Sequence, residues 1–110
     1  QCDLAGDWKN DLGSNMTINE VKENGDFTGT YFMAVPDNPA VIKELPLLGS
    51  QHVPHQLYQP TFGFTVRWTF ANSICVFMGQ CFMDDYGKEV LKTMWLLRSH
   101  EKNIKDDWKA

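Results

Sequence analysis

Few residues in this chain of 110 have types and spacings that could support catalysis or metal binding. His52 and His55 lie in "QHVPHQ", where no carboxylate or cysteine stands nearby in sequence to complete a metal-ligand set. The paired aspartates at 84–85 and 106–107 fit solvated turns better than an acid–base pair, because adjacent side chains point apart. A glycine-rich phosphate loop is also missing from the sequence. The sequence therefore predicts neither an enzyme nor a metal or cofactor site.

The three cysteines restrict the disulfide pairing. Cys75 and Cys81 lie in one apolar stretch that reads as a strand, which separates their Cα atoms by roughly 20 Å against a limit of roughly 7 Å. A disulfide, if one forms, joins Cys2 to one of these two and leaves a free thiol. The alternative is a cytosolic protein with three reduced cysteines. The apolar neighbours of Cys75 favour a buried, inert thiol at this position over a nucleophile.

Composition and charge exclude several classes of partner. Ten basic and fourteen acidic residues give a net charge of -4, and no basic cluster exists beyond "GKEVLK", so nucleic acid and anionic membranes are not expected partners. The longest uninterrupted apolar run is about the length of "MWLL", far shorter than the roughly 20 residues that span a bilayer. We expect one globular domain over residues 1–110, from which any signal peptide has been removed. "NMT" at Asn15 is a glycosylation acceptor and slightly favours secretion.

Glycine and Asx residues separate short runs rich in Thr, Val and aromatic side chains. This pattern predicts an all-β antiparallel meander of about seven strands joined by hairpin turns. The clearest strand is "FGFTVRWTF", with aromatic and apolar residues on one face and polar residues on the other. The remaining strands are expected in "GDWKND", "NMTINEV", "DFTGTYFM", "IKELPLLGS", "CVFMGQCFM" and "VLKTMWLLR".

The last of these segments would also fit an amphipathic helix, but its short length and the preceding turn signal favour a strand. As a strand it is apolar on both faces, with Leu91, Trp95 and Leu97 on one and Met94 and Leu96 on the other. The interior of a small barrel covers one face only. The second face therefore predicts a subunit interface.

Closure of such a meander into a barrel would remove its two exposed edges. Eight strands form the smallest common barrel that holds one small ligand. Several aromatic residues inside such a barrel, with a few polar groups at the strand ends, predict a pocket for a compact, flat, partly polar molecule. Simple core packing is the alternative reading for any one of them. These aromatic residues are Trp8, Trp68, Trp95, Trp108, Phe70, Phe77 and Tyr31.

Long motifs spread over nearly the whole chain closely resemble the avidin family of biotin-binding proteins. They are "NDLGSNMTI", "FTGTY", "QPTFGFTVRW", "VFMGQCF", "GKEVLKTMWLLRS" and "DDWKA". The resemblance implies an up-and-down antiparallel eight-stranded barrel, a secreted homotetramer and a biotin site at the open end of each barrel. This sequence ends before the eighth strand that the resemblance implies. We expect the natural sequence to continue into it beyond Ala110; the alternative is that another chain fills this edge of the barrel.

The resemblance also assigns individual roles. Asn10, Ser14 and Tyr31 would donate to the ureido oxygen of biotin. Trp68, Phe77 and Trp95 would form the walls, with Phe70 and Leu97 nearby. The loop "AVPDNPA", which contains Val35, would close over the valeryl tail, whose carboxylate would meet the backbone of Asp37 and Asn38 and the side chain of Ser73. Cys2 and Cys81 would form the disulfide.

Some positions depart from the family. Met33 stands where the resemblance implies a threonine that accepts a ureido N–H, and Cys75 where it implies a threonine that donates to the thioether sulfur. Ala71 replaces a serine that helps to hold the carboxylate, and Pro36 lacks both a hydroxyl and an N–H. These changes leave two alternatives to biotin binding: a carrier of another small ligand in an altered barrel, or an oligomeric structural or storage protein with weak biotin affinity.

Trp108 lies in "KDDWKA", where no neighbouring residue is apolar enough to bury an indole locally. The resemblance implies that this ring leaves its own barrel and closes the biotin site of a neighbouring subunit.

Overall fold

The computed structural model describes residues 2–9, 14–35, 38–53, 59–69 and 72–109, with the backbone alone at 34–35, 38–39 and 108–109. Within these residues the chain forms seven strands and one short 3₁₀ helix. Their bounds are β1 Gly6–Lys9, β2 Asn15–Ile18, β3 Asp26–Val35, β4 Asn38–Gln51, β5 Thr61–Trp68, β6 Ser73–Met83, β7 Glu89–Ser99 and the helix Ile104–Lys109.

The strands form one antiparallel sheet in which each strand pairs with the next along the chain, from β1 to β7. This arrangement confirms the predicted all-β, up-and-down fold. The segment "VLKTMWLLR", whose pattern also fits a helix, is a strand. It belongs to β7, which pairs with β6 along its whole length, from Met83 opposite Glu89 to Ser73 opposite Ser99. Among the described residues, no helix has the length and apolar character needed to cross a bilayer.

The sheet curls so strongly that strands far apart in its order meet. β3 and β6 are three places apart, which in a flat sheet would separate them by about 14 Å. The rings of Tyr31 in β3 and Phe77 in β6 nevertheless have centroids only 5.8 Å apart. The inner face therefore closes on itself as a partial barrel, and its side chains form the core.

Strict alternation in β5 supplies the centre of this core. Phe62, Phe64 and Val66 point inward and expose only 5%, 3% and 1% of their surface, whereas the residues between them are partly or fully exposed. The ring of Phe64 stacks on Phe77 with centroids 4.8 Å apart and meets the edge of Phe27 at 6.4 Å. The predicted two-faced pattern of this strand is thus confirmed.

Glycine at position 49 permits the close approach of β4 and β5. A Cβ atom there would lie well inside contact distance of the Gly63 carbonyl oxygen and the Phe64 backbone across the strand pair. Any side chain would push the two strands apart at the point where the sheet coils.

The segment before β1 closes one end of the barrel. Leu4 is fully buried in the core, and the indole N–H of Trp8 donates to its carbonyl oxygen at 2.7 Å. Cys2 forms a disulfide with Cys81 of β6, with their Cα atoms 6.0 Å apart, while Cys75 is buried and unpaired. This is the pairing that the family resemblance implies.

The hairpin between β3 and β4 differs from the prediction. The segment "AVPDNPA" was expected to form a loop, but residues 34–35 belong to β3 and residues 38–40 to β4. Ala34 pairs with Ile42 and Val35 with Asn38, so the register shifts between Ala34 and Val35. Residues 36–37 lie outside the described residues. Within the described residues, β4 pairs with β5 over Leu47–Gln51, and its earlier part forms a two-stranded ribbon with β3.

The outer face of β6 and β7 is apolar and exposed. Met78, Met94 and Leu96 expose 57%, 69% and 78% of their surface, and Ile74 and Val76 lie beside them on β6. The register places Trp95 and Leu97 on the opposite, inner face of β7, as alternation predicts. An exposed apolar surface on adjacent strands is typical of a protein–protein interface.

Removing the disulfide should lower stability by a large amount. The bridge joins residues 79 apart in sequence and so restricts the conformational entropy of the unfolded chain. The free energy of unfolding of the double variant Cys2→Ala/Cys81→Ala should therefore be lower by about 4 to 5 kcal/mol. Guanidinium unfolding at fixed protein concentration measures the loss, with Cys75→Ala as a control that retains the bridge. A double variant no less stable than this control would contradict the prediction.

Candidate functional site

A cavity of about 430 Å³ lies inside the curled sheet, lined by residues from β1, β2, β3, β5, β6 and β7. Phe64 and Val66 of the β5 core line it, as do Ser14, just before β2, and Trp68, at the end of β5. Ser14 and Trp68 mark the end of the cavity opposite the Cys2–Cys81 disulfide, here called its mouth.

Aromatic rings form the walls of this cavity, with Phe77 at their centre. Phe77 stacks on Phe64 with an interplanar angle of 15° and lies at 28° to Trp95, whose ring centroid is 6.4 Å away. Tyr31 leans on the same ring from β3 at 35°. Trp68 completes the lining from the end of β5. Nearly parallel rings on several sides give a flat-walled slot suited to a planar molecule.

The polar side chains in this slot are few and mostly uncharged. Ser14 and Tyr31 are half-buried and supply hydroxyl groups, and Thr93 adds a third hydroxyl from β7. Lys9 contributes an exposed charged group at the end of β1. Hydroxyls both donate and accept hydrogen bonds. The arrangement suits a small, flat ligand with a polar edge, as the sequence predicts.

Cys75 is 3% exposed and lines the same cavity. The indole N–H of Trp68 donates to its sulfur at 3.1 Å. Burial raises the pKa of the Cys75 thiol, and the hydrogen bond from Trp68 offsets only part of that rise. The thiol is therefore protonated at neutral pH and a poor nucleophile, in agreement with the expected inert cysteine.

The structure brings seven of the predicted site residues together. The predicted residues that line the cavity are Ser14, Tyr31, Met33, Trp68, Cys75, Phe77 and Trp95. Leu97 lies opposite Cys75 in the strand pairing but is 40% exposed and outside the lining. Ser73 lies opposite Trp68 in the strand pairing and lines a separate groove, to which Trp68 also contributes.

Other predicted positions cannot be placed with their side chains. Asn10, Asp37 and Phe70 lie outside the described residues, as do Pro36 and Ala71. For Val35, Asn38 and Trp108 only the backbone is described, in β3, β4 and the 3₁₀ helix respectively. Their expected contacts with a ligand remain predictions.

Several lining residues were not predicted as site residues. Met16 lies opposite Tyr31 in the pairing of β2 with β3, and Thr93 is two residues from Trp95 on the same face of β7. Alternation alone could have indicated Thr93 once Trp95 was assigned. Predicting Met16 as a lining residue requires the register of β2 on β3, which the sequence alone does not give. The other unpredicted lining residues are Lys9, Phe64, Val66 and Leu91.

A wider, shallower groove of about 780 Å³ lies beside the mouth and includes Arg67, Arg98 and Ser73. The guanidinium of Arg98 pairs with the carboxylate of Asp107, which links β7 to the 3₁₀ helix. Both side chains of this pair are more than half exposed, at 56% and 60%, so the pair adds little stability. The pair joins the helix that contains residue 108 to β7 of the same chain.

The described residues contain one group with metal-ligand spacing, formed by Cys2, Cys81 and Glu89. Its two sulfurs are already joined to each other in the disulfide. His52 is exposed, and His55 lies outside the described residues. Asn15 is exposed at the start of β2, and its glycosylation remains a prediction.

Comparisons with known proteins agree with one another. A model of the Avidin family matches residues 1–110. The curated relatives include Avidin and Avidin-related protein 7 of Gallus gallus, each 60% identical over 110 residues, which is all of this chain and 72% of the relative.

Solved structures give the same result. AVR2 has a TM-score of 0.88 at 59% identity, covering 99% of this chain and 87% of that one. A structure titled as a biotin binding protein from chicken has a TM-score of 0.88 at 51% identity, and Xenavidin has 0.87 at 49%; each covers 99% of this chain and 89% of its own. The family match over the whole chain, the high identity and the shared fold together show that this chain belongs to the avidin family.

Proposed function

We propose that this protein binds biotin, without chemical conversion, in the cavity between Trp68, Phe77 and Trp95. The observation that carries the proposal is this flat aromatic slot with Ser14 and Tyr31 in its lining, in a member of the avidin family. A chicken biotin-binding protein with the same fold supports the choice of ligand. No step of covalent chemistry is needed, and the protonated Cys75 thiol is unsuited to one.

The bicyclic ring of biotin would lie between the aromatic walls, with its ureido oxygen toward Ser14 and Tyr31. Together with Asn10 these donors would draw charge onto the ureido oxygen, and a low local dielectric strengthens such hydrogen bonds. The valeryl tail would leave through the mouth, where Ser73 and the backbone at 37–38 are the expected partners of its carboxylate. Aromatic burial would supply most of the affinity.

Met33 is the change within the described cavity that bears most directly on affinity. It lines the cavity and offers a thioether, a weak acceptor, where the resemblance implies a threonine hydroxyl. A buried ureido N–H without a good acceptor costs about 1 to 3 kcal/mol. We infer that biotin binds this protein less tightly than it binds family members with threonine there.

Met33→Thr should therefore tighten biotin binding by about tenfold to a hundredfold. The measurement is a titration followed by tryptophan emission and calorimetry, with desthiobiotin and unrelated vitamins as comparison ligands. Met33→Val is the matched control, because valine has nearly the shape of threonine but no acceptor. Equal affinities for the threonine and valine variants would contradict the argument. Tighter binding of another vitamin than of biotin would instead favour the alternative carrier function.

The assembly we propose is a homotetramer secreted from the cell. The exposed apolar surface of Met78, Met94 and Leu96 is the natural contact between copies, because a lone subunit would leave it in water. The Cys2–Cys81 disulfide suits an oxidising compartment. In this assembly Trp108 would reach the biotin site of a neighbouring subunit, as the family resemblance implies. The helix that carries it would be held at the end of β7 by the Arg98–Asp107 ion pair.

Trp108→Lys should weaken both assembly and ligand retention. Loss of an indole that covers about 100 Å² of ligand and rim corresponds to about 2 to 3 kcal/mol, so biotin should dissociate at least about thirtyfold faster. Light scattering reports the oligomeric state, and biotin displacement reports the rate of dissociation. Trp108→Phe keeps an aromatic ring, so its rate of biotin dissociation should lie between those of the parent protein and the lysine variant. A tetrameric lysine variant with an unchanged rate would contradict the placement across subunits.

A further inference from the structure

Trp68 and Cys75 form a hydrogen-bonded pair in the wall of the cavity. They lie on adjacent strands and on the same inner face, since Val66 pairs with Cys75 and Trp68 with Ser73. This diagonal placement allows a long aromatic side chain to reach across the strand pair. The indole N–H of Trp68 donates to the Cys75 sulfur at 3.1 Å. Both side chains line the cavity.

The two partners differ in how firmly their surroundings hold them. Cys75 is almost fully buried in the middle of β6, between β5 and β7, and its short side chain has little freedom to move. Trp68 is the last residue of β5 and is only half-buried, so its ring is less enclosed by protein than the sulfur. The sulfur of Cys75 is therefore the fixed partner, and it orients the indole of Trp68.

The orientation of Trp68 matters because its ring is one wall of the slot. A ring anchored at both Cα and Nε1 cannot rotate about the bond that joins it to the strand without breaking the hydrogen bond. The raised pKa keeps the sulfur neutral at physiological pH, so the bond is an ordinary N–H to thiol contact and adds no charge to the cavity. If the Trp68 ring is already in its binding orientation, the ligand loses less binding free energy to ordering that side chain.

We propose that Cys75 is a positioning residue that sets the Trp68 indole as a wall of the binding cavity before the ligand arrives. Its effect on affinity rests on the proposed biotin binding, whereas its effect on the indole is present without ligand. The thiol at position 75 then acts on the ligand through Trp68. This role differs from direct donation to the ligand, which is what the resemblance implies for a threonine at the same position.

The test compares Cys75→Val with Cys75→Thr. Valine and threonine have nearly the same shape, but only threonine offers an acceptor to the indole. In ligand-free protein labelled with ¹⁵N at tryptophan, the side-chain N–H signal of Trp68 is assigned by its absence in Trp68→Phe. We expect its exchange with water to be at least about fivefold faster in the valine variant, while the threonine variant stays close to the parent protein. The other indole signals should remain unchanged, which shows that both variants are folded.

A second arm measures biotin dissociation in a double-mutant cycle. Cys75→Val should speed dissociation by about fivefold in the parent protein but have no effect in the Trp68→Phe background, because the indole N–H on which it acts is gone. An unchanged indole exchange rate in Cys75→Val would overturn the proposal. So would a valine effect of equal size in the Trp68→Phe background, since Cys75 would then act on the ligand directly. If no variant binds biotin, the proposed function fails, and the ligand-free arm still decides whether Cys75 positions Trp68.

Discussion

The contact between Phe77 and the rings around it is the interaction on which the rest of the structure depends. A single sheet with one apolar face must cover that face, and with no second layer to pack against it can do so only by curling. Phe77 meets Phe64 from the adjacent strand and Tyr31 from three strands away, so its ring is the point where the curled face meets itself. The same contacts that bury the core therefore also leave a cavity beside it.

Alternation gives the terminal strand of the sheet two separate surfaces. Trp95 of β7 faces inward and leans on Phe77, and its neighbour Leu96 faces outward and is 78% exposed. Because the side-chain period of a strand is two, these surfaces cannot exchange roles without a shift in register. The ligand cavity and the proposed contact between copies thus lie on opposite sides of the same backbone. A contact that displaces β7 at one of these surfaces therefore also moves the side chains of the other surface.

Much of the fold could be predicted from local pattern. The alternation in "FGFTVRW" gave the buried face of β5, and a turn signal correctly favoured a strand over a helix for β7. The end of β3 and the start of β4 were missed because "AVPDNPA" has the composition of a loop, yet Val35 pairs with Asn38 there after a shift in register. Local composition does not report whether a partner strand is within reach.

The site was less predictable, because it depends on register and curvature. Spacing left two partners open for Cys2, and only the family resemblance selected Cys81, the partner seen in the structure. Met16 joins the cavity because it lies opposite Tyr31, and the hydrogen bond of Trp68 to Cys75 depends on a diagonal across two strands. Such relations arise between segments distant in sequence. The ribbon of β3 and the first part of β4 has a different consequence: Val41 and Ile42 there are exposed, and within the described residues β4 pairs with β5 only over Leu47–Gln51. Beyond the pair of Met33 with Lys43, a residue added to or removed from each strand of this ribbon would lie outside the buried core, whose members in β4 are Leu45 and Leu47. The same change in β5 would turn its buried face outward. The length of the ribbon is therefore the dimension of this fold most open to change among related sequences.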